Sequence, residues 1–177
     1  MKTLIASILT TSLISTAFAK NPPDSKLPKE IQPILGLVGE WKATNGVAVL
    51  DGKKRRVDFT ISCSPAGGGM AVQCLAKFDI EGLGRFEEND LFGYDPGQNR
   101  YHWFSVTQMG EAHDHVALPP GPNDKQVTFA YSGIQHGKPM QEVITLAFVD
   151  DHKIEFKNLG TVGGESAWKM SATMIKK

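Results

Sequence analysis

The sequence predicts an all-β domain over residues 31–177: about ten antiparallel strands in an up-and-down meander, closed into a barrel behind a short N-terminal helical turn. Three observations predict it. Past residue 38 no segment sustains a 3.6-residue apolar period without interruption by glycine or a β-branched run. Short alternating runs recur instead, most of them joined by brief links with turn chemistry. A meander of that many strands also has edges to protect, and closing the sheet removes them. The same alternation would suit an open two-sheet sandwich, so closure rests on strand number and short links.

The elements follow in chain order. Met1-Lys2 precedes an uncharged, largely apolar run from Thr3 to Thr16 and then Ala17-Phe18-Ala19, the small-x-small pattern of a cleaved leader. Residues 1–19 are therefore read as a signal peptide, and the mature chain is expected in the periplasm or secreted. The run is broken by threonines and serines and falls short of the roughly 20 apolar residues that span a bilayer. No cysteine follows the cleavage point to carry a lipid. No membrane insertion is expected after signal removal.

Residues 20–30 are polar and proline-rich and read as a flexible leader. Ile31, Ile34, Leu35, Leu37 and Val38, set around Pro33 and Gly36, suit one helical turn closing a barrel end. Strands are expected near 39–50, 54–63, 70–80, 84–94, 100–108, 111–118, 125–132, 140–149, 153–159 and 166–175. Asp51-Gly52, the glycines at 67–69, Asp95-Pro96-Gly97, Met109-Gly110 and His136-Gly137 mark turns between them. Gly160-Thr161-Val162-Gly163-Gly164-Glu165 lacks the Gly-Lys-Ser/Thr ending and following helix of a phosphate loop, and reads as a flexible rim loop.

Charge narrows the partners. The chain carries 19 basic and 19 acidic side chains, and loss of Lys2 with the signal leaves 18 against 19, a mature net charge of −1. No basic excess exists to hold a phosphate backbone, so nucleic acid is not an expected partner. With no long free edge, a monomer is expected.

Cys63 and Cys74 are the only cysteines, and an even pair in an exported chain favours a disulfide. A hairpin around the glycines at 67–69 sets Cys63 opposite Cys74. The same register sets Ile61 opposite Ala76, Phe59 opposite Phe78 and Val57 opposite Ile80. One pairing thus satisfies both the sulfurs and the apolar face.

On these elements the chain resembles a family. Gly39-Glu40-Trp41 opens the first strand after the helical turn, as the Gly-x-Trp of lipocalins and their calycin relatives does. Phe92-Gly93-Tyr94-Asp95-Pro96, followed by Tyr101, resembles the Tyr-Asp-Pro hairpin of a lipocalin-like family of bacterial secreted proteins of unknown function. The resemblance covers residues 31–177 and implies an interior cavity with Trp41 plugging one end. Haem-binding ten-stranded relatives open Gly-x-Trp-x-Gly-x-Gly, whereas Ala43 and Asn45 stand at the second and third glycine positions here. Haem is not expected.

Two constellations could carry function. Across the Asp95–Asn99 turn, Phe92 and Tyr94 oppose Trp103 and Tyr101, with Asp90 and Ser105 as polar neighbours. With Trp41 and with Trp168 of the last strand, these four rings are the expected binding wall for a small hydrophobic or amphipathic molecule. Alternatively, the rings fill the interior and leave a structural or protein-interaction barrel without ligand.

The second constellation is histidine. A two-residue turn at Met109-Gly110 sets Val106 opposite His113 and His102 opposite Ala117, placing His102, His113 and His115 on one face. Three imidazoles there could hold zinc and support a metal-assisted hydrolase or isomerase. In this register the histidines and the Tyr101/Trp103 face exclude one another from the interior. Glu142 interrupts an apolar strand face and could pair with Arg85, a ligand amine or water. Gly-x-Ser-x-Gly does not occur and a disulfide would consume both thiols, so no catalytic residue is assigned and binding is favoured over catalysis.

Overall fold

The computed structural model describes residues 27–121 and 124–177, so the expected signal peptide, residues 1–19, and residues 20–26 of the expected leader lie outside the described residues. A 3-10 turn, Lys29–Ile31, runs into a single α turn, α1 (Gln32–Leu35). Ten strands follow: β1 (Gly39–Leu50), β2 (Lys53–Ala66), β3 (Ala71–Ile80), β4 (Gly84–Asp95), β5 (Arg100–Thr107), β6 (Ala112–Ala117), β7 (Gln126–Gln135), β8 (Lys138–Asp150), β9 (Lys153–Val162) and β10 (Glu165–Lys176). Each pairs antiparallel with its sequence neighbours, and β10 returns to β1, so the sheet is a closed barrel and not a sandwich.

Alternation puts one apolar row of each strand inside. Trp41, Ala43 and Ala48 of β1, Val57 and Phe59 of β2, Ile144 and Leu146 of β8, and Ile154 and Phe156 of β9 are buried. The β2–β3 hairpin has the register that the glycine turn implies: Val57 faces Ile80, Phe59 Phe78, Ile61 Ala76 and Cys63 Cys74. The two sulfurs are bonded.

One end of the barrel is closed by the helical turns. Ile31, Ile34 and Leu37 are buried there with Trp41, whose indole Nε1 donates to the Leu37 carbonyl at 2.7 Å. The Tyr101 hydroxyl donates to the Glu30 carbonyl from the opposite wall. The chain entry is thus pinned to both β1 and β5. The other end carries the β1–β2, β3–β4, β5–β6, β7–β8 and β9–β10 turns and stays open.

Two expectations are corrected. The β5–β6 loop has three residues, 108–110, not two: Thr107 N–H donates to the Glu111 carbonyl, and Gly110 sits at φ 84°. The Gly110 N–H donates back to the Thr107 carbonyl at 3.0 Å, so a four-residue turn is completed by a left-handed glycine. One extra loop residue reverses the faces of the following strand, so Trp103 faces His115 and Ser105 faces His113. The glycine-rich rim loop is likewise shorter than expected. β9 runs on through Val162, and Gly163-Gly164 alone make the turn, both with positive φ.

The β6–β7 seam differs from the rest. Its backbone ladder holds a single pair, Val116 with Ala130, beside the link that includes residues 118–125. Side chains bridge it instead: Gln135 donates to Glu111 at 2.9 Å, and His113 stacks on Tyr131 with centroids 4.3 Å apart.

Candidate functional site

Apolar rows from β2, β3, β4, β8, β9 and β10 leave a cavity of about 650 Å³ in the open half of the barrel. Phe59, Ile61, Phe78, Phe86, Phe156 and Met170 form much of its wall, and it reaches the rim at Leu83, Met109 and His136. Phe78 and Phe86 stack with centroids 4.7 Å apart, and Phe59 meets Phe78 at 5.2 Å. The wall is aromatic on this side, its rings packed on one another.

Next to these rings lies a hydrogen-bonded band of polar side chains. Glu88 and Asp90 on β4 alternate inward between Phe86 and Phe92. Trp103 Nε1 donates to Asp90 Oδ1 at 2.6 Å. His115 Nδ1 lies 3.3 Å from the Trp103 carbonyl, and its Nε2 lies 2.7 Å from Glu142 Oε2. Asn158 Nδ2 donates to Glu142 Oε1 at 2.7 Å, and Trp168 Nε1 donates to Asn158 Oδ1 at 2.8 Å. His113 Nδ1 stands 3.6 Å from Glu142 Oε2. The band therefore runs from β4 round to β10.

Burial governs the charges. It pushes the Glu88 carboxyl up to about 9, aided by the charge of Asp90 and a hydrogen bond to it. It pushes Asp90 up to about 6 against the pull of its bonds from Trp103 and Glu88. Glu142 goes the other way. Burial works against its ionisation, but the hydrogen bond and charge of His115, the Asn158 bond and the charge of His113 outweigh burial and hold it below the ordinary carboxylate value.

Of the six aromatic side chains expected to line a binding wall, Trp103 and Trp168 border this cavity. Trp41 and Phe92 instead line a space of about 30 Å³ near the closed end. Tyr94 and Tyr101 pack edge to face at 5.7 Å, with the Tyr94 hydroxyl bonded to Asn99 and that of Tyr101 to Glu30. The tyrosines fasten the closed end. Buried Tyr101 has its phenol pushed up to about 12, first by burial and then by Glu30 and Tyr94.

The three expected histidines separate. His113 and His115 face inward alongside Trp103, because the three-residue loop turns β6 over. His102 lies on the outer face, with Nδ1 3.1 Å from Asp114. Its place beside the other two is taken by Glu142 from β8: one ligand atom each of His113, His115 and Glu142 lie within 4.8 Å of one another. Glu142 itself pairs with histidine, not with Arg85, which turns out to Asp79 at 3.0 Å. The inward position of Glu88 was open to reading, since it alternates with Phe86 and Phe92. The Asn158 contact was not, since β9 and the histidine strand are far apart in sequence.

A family model described as a protein of unknown function, DUF1579, matches residues 29–176. The chain belongs to the DUF1579 family. No curated protein matches it. Among solved structures, the DUF1579 barrel superposes on Rv2717c from M. tuberculosis with a TM-score of 0.63 at 11% identity, covering 86% of this chain and 99% of that one. It also superposes on the S-type phycobiliprotein lyase CPES from Guillardia theta with a TM-score of 0.52 at 9% identity, covering 80% of this chain and 89% of the lyase. The shared feature is the lipocalin-like barrel fold.

Proposed function

We propose that this DUF1579 protein is exported and binds a small hydrophobic or amphipathic molecule in its barrel interior. The observation that carries the reading is the cavity of about 650 Å³, within the roughly 300–1,000 Å³ of small-molecule sites and similarly built, with apolar walls and a few placed polar groups. The exposed apolar side chains Leu83 and Met109 stand at its mouth, where an apolar guest would enter.

The lining favours one kind of head group. Glu88, Asp90, Glu111 and Glu142 line the cavity, no lysine does, and Arg85 stands at its rim paired with Asp79 at 3.0 Å. A carboxylate guest would meet the ionised Glu142 with its histidine partners already engaged, and the guanidinium at the rim is taken up by Asp79. A neutral hydrogen-bond donor or an amine suits the wall, and the Trp103 and Trp168 rings add faces for a cation.

Native mass spectrometry on protein purified gently from a periplasm tests both halves. The denatured mass should lack residues 1–19 and contain one disulfide, and the native mass should add a few hundred daltons of non-covalent guest. A chain retaining residues 1–19 would overturn export. A native mass without guest, unchanged after incubation with neutral, cationic and anionic amphiphiles, would overturn binding.

A further inference from the structure

We propose that His113, His115 and Glu142 form a mononuclear transition-metal site in the cavity wall, with zinc as the fitting ion. The donors converge from two strands: His113 and His115 stand two residues apart on β6, and Glu142 reaches them from β8 across β7. Glu142 Oε2 lies 2.7 Å from His115 Nε2 and 3.6 Å from His113 Nδ1. Tetrahedral zinc at about 2.1 Å from each donor separates them by about 3.4 Å. The two spans to Glu142 bracket that value and all three donor atoms lie within 4.8 Å of one another, so side-chain shifts of up to about 1.5 Å bring them to the spacing of a tetrahedral ion.

The outer partners are those a metal site needs. A ligating histidine typically donates its second ring nitrogen to a carbonyl or carboxylate, which fixes the tautomer and aims the other nitrogen. His115 Nδ1 faces the Trp103 carbonyl at 3.3 Å, leaving Nε2 directed at the site. Glu142 is held from behind through Oε1 by Asn158, itself held by Trp168, so Oε2 is the oxygen presented. The His113 ring is fixed by its stack on Tyr131. Two imidazoles and one carboxylate suit zinc among the divalent ions and leave at least one position open. That position faces the cavity, where water or a donor atom of a guest can occupy it.

The place in the fold gives the ion a mechanical effect as well. The β6–β7 seam has one backbone pair, and an ion shared by β6 and β8 would bridge that seam from inside. Loading should therefore raise stability, a readout independent of any activity.

The test uses the mature protein, stripped with chelator and dialysed. Zinc chloride is titrated by calorimetry, and cobalt(II) is added separately to read coordination from visible absorption. The expected result is one zinc per chain, a tetrahedral or five-coordinate cobalt spectrum and a raised melting temperature. Glu142→Gln and His115→Ala should abolish binding, and Asn158→Ala should weaken it about 10- to 100-fold. His102→Ala, which removes only the outer-face histidine, should leave it unchanged. Circular dichroism identifies any variant that fails to fold, and the wild-type cobalt spectrum then still decides the donor set. No zinc uptake, an octahedral all-oxygen cobalt spectrum or binding lost with His102→Ala would overturn the site and leave His115 and Glu142 as a hydrogen-bonded pair only.

Discussion

Trp103 holds Asp90: the indole Nε1 donates to Oδ1 at 2.6 Å, with both side chains buried. The bond is made inside the barrel between neighbouring strands, where Asp90 faces Ser105 and Phe92 faces Trp103. Removing the donor leaves a buried carboxyl short of a partner, which costs about 1–3 kcal/mol. Trp103→Phe should therefore lose about that much in urea unfolding at neutral pH. Asp90→Asn keeps an acceptor oxygen for the indole and sheds the buried charge, so it should be the milder change. Equal stability of wild type and Trp103→Phe would show that the indole bond does not support Asp90.

Glu88 sets a pH dependence. Its carboxyl titrates near 4.5 in a model peptide and about 9 in the folded chain. Between those values the native state binds one more proton than the unfolded state, so stability falls as pH rises through the window and levels off above it. The slope approaches tenfold in the folding equilibrium per pH unit. Glu88→Gln, neutral at every pH, should be less pH-sensitive than wild type between about pH 7 and 8.5, as read by chemical denaturation. Parallel curves for the two proteins would show that Glu88 is ionised in the fold.

The Cys63–Cys74 bond spans a sequence separation of 11 and closes the β2–β3 hairpin. Closing a loop of that length in the unfolded chain is worth about 2–3 kcal/mol. Reduction should lower the melting temperature accordingly while leaving the strand signal in far-ultraviolet circular dichroism. Ten paired residues on each strand of that hairpin keep its register without the bond. Collapse of the β signal on reduction would mean that the disulfide determines the fold as well as its stability.

The barrel was legible because the signals that build it are local. Alternating rows, two-residue glycine turns and the Cys63–Cys74 pairing each involve neighbours in sequence. The site was less legible because it depends on a loop length and on strands that meet only after closure. Met109-Gly110 suggests a two-residue turn, whereas Gly110 is the left-handed third residue of a longer one. That one-residue difference turns His113 and His115 inward and leaves His102 outside. Glu142 was recognised as a polar interruption of an apolar face, but its partners sit on β6 and β9, and no local pattern links those strands to it.

Gly160 shows the same separation between local pattern and packed role. It sits inside β9, opposite Glu142 on one side and Trp168 on the other. A Cβ built there would lie 2.0 Å from the Trp168 ring, so the absence of a side chain makes the space into which the indole folds. That indole donates to Asn158, and Asn158 donates to Glu142. Gly160→Ala should therefore displace Trp168 and loosen the hold on Glu142, costing about 1–3 kcal/mol by overpacking. Displacement toward solvent should shift tryptophan emission to longer wavelength, and Trp168→Phe in the same background should remove most of that shift. Unchanged emission and stability in Gly160→Ala would mean that Trp168 relaxes without leaving its bond to Asn158, and the band from Glu142 to β10 would be more compliant than its geometry implies.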